Sequence, residues 1–143
     1  MANSLTLQTI LDGPRNVVVK VTGVLDTSDI ALTTIADPAT YSVIQGQSLA
    51  KTLRLYHIDY SIQDGIELQL QWQGTPNTVM MPLAGRGRMS FVDFGGLTDN
   101  ATTPTGRIQL LTTGYAALTA GTFVVFTLVL EMVKEGIVGV GVR

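Results

Sequence analysis

The sequence predicts an all-β protein, an antiparallel β-sandwich with a jelly-roll-like strand order. Apolar and polar residues alternate with a period of two along most of the chain. About eight such segments are separated by glycine, proline and aspartate, and no convincing helix appears. Eight short antiparallel strands favour a jelly roll, with an immunoglobulin-like order as the second choice.

Two segments alternate most clearly. In residues 15–25, Val17, Val19 and Val21 share one face of the predicted strand. In residues 65–73, Leu68, Leu70 and Trp72 share a face, and the opposite face carries glutamate and glutamine. The second segment is therefore predicted to be half buried, with Trp72 in the core.

Residues 122–134 form the longest predicted strand, and both of its faces are largely apolar. One face carries Val124, Phe126, Leu128, Leu130 and Met132. The other face carries Phe123, Val125, Thr127, Val129 and Glu131. This strand is therefore central, or its second face contacts another chain, and Phe123, Val125 and Val129 are candidate interface residues.

Five weaker strands complete the prediction, at residues 5–10, 49–62, 77–83, 88–94 and 107–112. Pro82 places its segment at a sheet edge or a strand end, because proline lacks the backbone N–H that a central strand needs. Residues 26–47 are predicted to form a long polar connection, and residues 115–118 one short helical turn.

The composition excludes several classes of protein. The chain has 143 residues, which suits one domain, and 45% of them are hydrophobic, which argues against disorder. Only 14% are charged, against about 25% in an average soluble domain. The formal net charge of −2 argues against binding nucleic acid. Such low charge predicts that neighbouring proteins cover much of the surface.

Residues for catalysis and metal binding are scarce. The chain has no cysteine and one histidine, His57, which shares a predicted strand face with Asp59. This pair could serve acid–base chemistry, but we expect a structural polar pair. Asp26, Asp29 and Asp37 could gather around calcium, but their spacing favours loop caps. We therefore expect no enzyme activity, cofactor or metal.

In the segment Gly85-Arg86-Gly87-Arg88, the two glycines would let a ligand approach the backbone closely, and the two arginines supply guanidinium groups. It could hold a phosphate, but it lacks the lysine and hydroxyl residue of a P-loop. We predict a glycine-rich hairpin turn in which Arg86 and Arg88 pair across a protein interface.

The last eight residues differ from the rest of the chain. We predict one β-sandwich domain over residues 1–135 and an apolar, glycine-spaced tail over residues 136–143. A free tail of this kind would favour aggregation, so we expect it to dock on its own sheet or as an added strand on a neighbour. Its candidate interface residues are Ile137, Val138, Val140 and Val142.

Neither a membrane span nor a secretion signal is predicted. The longest apolar run covers residues 123–130, whereas a membrane helix needs about 20 residues. The first residues show no basic segment followed by an apolar one. We expect a protein that does not contact a membrane.

The layout of the chain resembles a family of virion proteins. The resemblance rests on residues 16–23, 58–62, 68–72, 87–89, 94–97, 105–110 and 126–134, and it spans roughly residues 10–135. These segments resemble small virion structural proteins of tailed bacteriophages, of the capsid decoration or cement type. The resemblance implies a non-enzymatic β-sandwich that binds the outer capsid lattice and stabilises the mature head.

The resemblance also sets expectations for partners and location. It implies the major capsid protein as partner and the outer surface of the virion as location, after synthesis in the host cytoplasm. We further expect a homo-oligomer, with a trimer favoured. Two alternatives stay open: a tail or neck protein of the virion, and a carbohydrate-binding β-sandwich module.

Overall fold

The computed structural model describes residues 3–13, 15–26, 28–41, 52–101, 105–115 and 123–135. Two short 3₁₀ turns, Pro38–Thr40 and Val92–Phe94, accompany the strands. The described residues contain no α-helix. They form nine strands: β1 (Ser4–Asp12), β2 (Asn16–Leu25), β3 (Thr33–Ala36), β4 (Thr52–Ile62), β5 (Glu67–Trp72), β6 (Thr78–Leu83), β7 (Arg86–Ser90), β8 (Ile108–Thr113) and β9 (Val124–Glu135).

The strands form two antiparallel sheets. A five-stranded sheet has the order β1-β2-β9-β4-β7, and a four-stranded sheet has the order β3-β8-β5-β6. β2 pairs with β9, β3 with β8, β4 with β7 and β5 with β6, so the pairs are nested inside one another. This nested pairing is the jelly roll, in which one long hairpin folds over on itself. The jelly-roll prediction is therefore confirmed, and β1 is an additional edge strand.

All eight predicted strands are present, and β3 is the one that the sequence analysis missed. It lies inside the predicted connection of residues 26–47. β3 has only four residues, and its pairing with β8 shifts register between Thr34 and Ala36. A strand this short and irregular shows no readable alternation. Most of the predicted helical turn at residues 115–118 lies outside the described residues.

The prediction of a turn at Gly85-Arg86-Gly87-Arg88 was wrong for three of the four residues. Gly85 has a φ of 75° and makes the turn. Arg86 begins β7, whose residues pair with β4 from His57 to Ser61. The predicted strand of residues 88–94 therefore starts two residues earlier, and its last three residues form a 3₁₀ turn instead.

The core lies between the two sheets and includes the side chains that the alternation predicted. Trp72 is 2% exposed, which confirms its predicted place in the core. The ring of Phe126 packs directly over Gly23 on the neighbouring strand β2, where an added Cβ would clash with it. Pro82 lies on β6, an edge strand of the four-stranded sheet, as predicted.

A buried lysine ties β9 to the connection between β1 and β2. The Lys134 ammonium donates to the Asp12 carboxylate over 2.7 Å and to the Gly13 carbonyl over 2.7 Å. The Lys134 side chain is 0% exposed and that of Asp12 is 28% exposed. The end of β1 is thereby attached to the end of β9.

Candidate interaction surfaces

The outward-facing side of the five-stranded sheet, here called the outer face, carries most of the predicted interface residues within the described chain. Directly opposed residues on neighbouring antiparallel strands share a face of the sheet. One row across this face is Gln8, Lys20, Val129, Asp59 and Arg88. Val129 and Arg88, which are far apart in sequence, therefore lie on one surface.

A parallel row brings Arg86 onto the same face. It runs through Thr6, Thr22, Thr127, Ser61 and Arg86. Val125, two residues before Thr127 on β9, lies on this face as well. The structure therefore places Arg86, Arg88, Val125 and Val129 together. The predicted interface residues Ile137, Val138, Val140 and Val142 lie outside the described residues.

Phe123 and Val125 present apolar side chains from a fixed backbone. Phe123 is 53% exposed and Val125 is 48% exposed. The Gln63 side chain accepts from the Val125 amide over 3.1 Å and donates to the Phe123 carbonyl over 3.4 Å. The Gln63 amide also donates to the Val125 carbonyl over 3.1 Å. These bonds hold the backbone while both apolar side chains contact solvent.

Arg88 finds its ionic partners within its own sheet. Its guanidinium lies 3.3 Å from the Asp59 carboxylate and 3.5 Å from that of Glu131. The Arg88 side chain is 53% exposed, so each pair adds only about 0–1 kcal/mol to stability. The prediction that Arg88 pairs across an interface stays a prediction, but its charge is already balanced within the chain.

His57 lies at a shallow cavity of about 320 Å³ on the outer face. Its Nδ1 atom is buried without a hydrogen-bond partner. A bulge in β4 between Leu55 and His57 sets its position, and Asp59 follows on the same face, as predicted. The Asp59 carboxylate pairs with the Arg88 guanidinium over 3.3 Å.

Two of the three loop aspartates, Asp29 and Asp37, make separate sets of contacts. Asp29 accepts from the Thr112 hydroxyl over 3.0 Å and from the Tyr115 amide over 3.1 Å. Asp37 caps the first 3₁₀ turn by accepting from the Ala39 amide over 3.0 Å. The predicted role as a loop cap is met by Asp37, whereas Asp29 joins its loop to β8 and to Tyr115. In the part of the chain that the structure describes, no group of acidic or histidine side chains could hold a metal ion.

The outer side of the four-stranded sheet carries a network of amides. Asn77 donates to Gln71 over 3.1 Å and to Gln109 over 2.8 Å, and Gln109 donates to Thr34 over 3.2 Å. These amides and the Thr34 hydroxyl bond to one another. Trp72 lies in the core, so it offers no exposed aromatic face to a sugar.

The sequence analysis did not find one apolar surface, on the side of the sandwich where β1 and β3 are edge strands. Every residue of β1 except Leu5 is exposed. Leu7 on β1 is 46% exposed and Leu32 beside β3 is 43% exposed. Leu11, also 46% exposed, follows the bulge in β1 and lies opposite Val18 on the outer face instead. The signal in the sequence is the alternation of Leu5 and Leu7, which places both on one face of β1.

Two adjoining clefts run between β1 and β3, and together we call them the β1–β3 cleft. The first has a volume of about 370 Å³ and is lined by residues that include Leu5, Leu7 and Ile30. The second has a volume of about 290 Å³ and is lined by residues that include Leu7, Val19 and Ile35. Leu7 lines both clefts, so its side chain is the centre of this surface.

The described residues form no helix that is long and apolar enough to cross a membrane.

Comparisons with known proteins do not assign the chain to a family. No protein-family model matches the sequence, and no curated protein matches it either.

Proposed function

We propose that this chain is a non-enzymatic capsid decoration protein of a tailed bacteriophage, which binds the outer capsid lattice and stabilises the mature head. The jelly roll is compatible with this role, since viral capsid proteins use it, but lectins and cupins use it too. A fold alone does not determine a function. The proposal therefore depends on the surface.

The observation that carries the proposal is a pair of exposed apolar side chains, Phe123 and Val125, on the rigid five-stranded sheet. Phe123 and Val125 are about half exposed, and the bonds to Gln63 fix the backbone beneath them. Burying apolar side chains from water is favourable by about 25 cal/mol per Å². Three of the charged groups on this face, Arg88, Asp59 and Glu131, already pair with one another. Such a surface suits attachment to a protein lattice.

Attachment at several points would explain how a small protein strengthens a capsid. When one contact forms, a second contact to a neighbouring capsid subunit becomes intramolecular and gains avidity. A protein that binds only the expanded lattice stabilises that lattice by mass action. The major capsid protein is the partner in this proposal, and the virion surface is the location.

Co-sedimentation with capsids tests the proposal. Purified chain is mixed with expanded and unexpanded heads of the phage that encodes it, and the bound chain is measured after sedimentation. We expect saturable binding to expanded heads, with many copies per head. No binding to either form would overturn the proposal, and a single ring of copies would move the protein to the neck or tail.

A pair of matched variants locates the contact. Val125 on the outer face and Val79 on β6 are 48% and 51% exposed, so a lysine at either position should disturb folding equally little. We expect Val125→Lys to weaken capsid binding at least tenfold and Val79→Lys to leave it unchanged. Equal binding by both variants would exclude the outer face as the capsid contact.

A further inference from the structure

We propose that residues 137–142 of one copy of this chain add as a strand to β1 of a second copy, with their valines in its β1–β3 cleft. This inference concerns contacts between copies and goes beyond capsid binding. Addition of an extended segment to an open sheet edge is a common form of peptide recognition. Four observations on the acceptor and the donor support it.

The acceptor is the edge of β1. Among the described residues β1 pairs with β2 alone, and no strand of the described chain lies along its other backbone edge. The register between β1 and β2 shifts between Thr9 and Leu11. The regular part of β1 therefore covers residues 4–9, and a six-residue donor matches that length.

The cleft beside this edge is apolar where a donor side chain would enter it. Leu7 is 46% exposed and lines both parts of the cleft. The nearby carboxylates of Asp29 and Asp37 already accept hydrogen bonds from Thr112 and Ala39. An uncharged apolar segment fits such a site better than a charged one.

The sequence of residues 137–142 has the alternation that this acceptor requires. In an extended conformation Val138, Val140 and Val142 share one face, and Ile137, Gly139 and Gly141 share the other, here called the glycine face. The valine face can enter the β1–β3 cleft while the glycine face lies outward. No residue in this segment is charged.

Strand direction favours a second copy over the same chain. β1 and β9 are both antiparallel to β2, so they run in the same direction, and the contact of Lys134 with Asp12 places their ends together. A strand beside β1 lies three strand spacings from β9, about 14 Å away. Within one chain the segment would have to cross that distance and reverse direction, which takes about four residues at ~3.3 Å each. A second copy can receive the segment at full length.

Oligomer dissociation in matched variants tests the inference. Light scattering behind size exclusion is measured for the full chain over a concentration series. We expect the wild-type chain to form an oligomer, and Leu7→Lys or Val140→Asp to raise its dissociation concentration at least tenfold. Thr6→Lys, on the opposite face of β1, and Gly141→Asp, on the glycine face, should leave it unchanged. Circular dichroism confirms that each variant is folded.

A mixing experiment separates docking between copies from docking within one chain. Leu7→Lys keeps an intact donor and Val140→Asp keeps an intact acceptor. Differently tagged, the two variants should form a one-to-one pair that neither forms alone. A wild-type chain that is monomeric at every concentration, unaltered oligomers in both variants, or no mixed pair would each overturn the inference. No capsid is present, so such a failure leaves the capsid test independent.

Discussion

Removing the carboxylate of Asp12 should destabilise the fold, because the buried Lys134 ammonium would then lose its ion pair with Asp12. The ammonium side chain is 0% exposed and lies 2.7 Å from the carboxylate. Breaking a buried ion pair at one partner costs about 3–5 kcal/mol. Because Asp12 itself is 28% exposed, we expect Asp12→Ala to fall at the lower end, about 3 kcal/mol. For a domain of this length that lowers Tm by about 6 to 12 °C.

The second member of the pair supplies the control. Lys134→Met replaces the ammonium with an apolar side chain of similar length, and replacing both members of a buried ion pair by apolar side chains is often close to neutral. The double variant Asp12→Ala/Lys134→Met should therefore be more stable than Asp12→Ala alone. Urea unfolding followed by the fluorescence of Trp72, the single tryptophan, measures all three variants. Equal destabilisation of Asp12→Ala and the double variant would refute the reasoning. Burial of the ammonium without the Asp12 carboxylate would then not lower the free energy of unfolding.

Three further predictions concern single residues. Burial, with nearby carboxylates, raises the pKa of Tyr41 from 10.0 to about 12, so the neutral phenol favours the folded state. Stability should be full below pH 10 and fall as the pH rises toward about 12, and Tyr41→Phe should remove this loss in unfolding curves. Gly23→Ala should lower the free energy of unfolding by about 1–3 kcal/mol, because the added Cβ would clash with the Phe126 ring. Thermal unfolding measures this loss, and an unchanged Tm would contradict the described packing. Burial raises the pKa of the Asp99 carboxyl above 3.8, so its contribution to stability should be lost as the pH rises through the folded pKa. A pH series that is identical for Asp99→Asn would contradict this assignment.

The sequence by itself determined the fold class, the location of eight strands and the membership of Trp72 in the core. These features depend on alternation within one segment, because successive side chains of a strand point to opposite faces. β3 escaped prediction because four residues with a bulge carry too little alternation, and its hydrogen bonds come from β8. For strand order, the sequence narrowed the prediction only to two arrangements, with the jelly roll preferred over the immunoglobulin-like order.

Tertiary structure decided which residues share a surface. Alternation indicates the face of a residue on its own strand but gives no information on which residue lies opposite. Arg88 contacts Asp59 and Glu131 across sequence separations of 29 and 43 residues, and the register of β7, β4 and β9 produces these contacts. The β1–β3 cleft likewise exists because these two strands end the two sheets on one side of the sandwich, and strand order depends on packing of the whole chain.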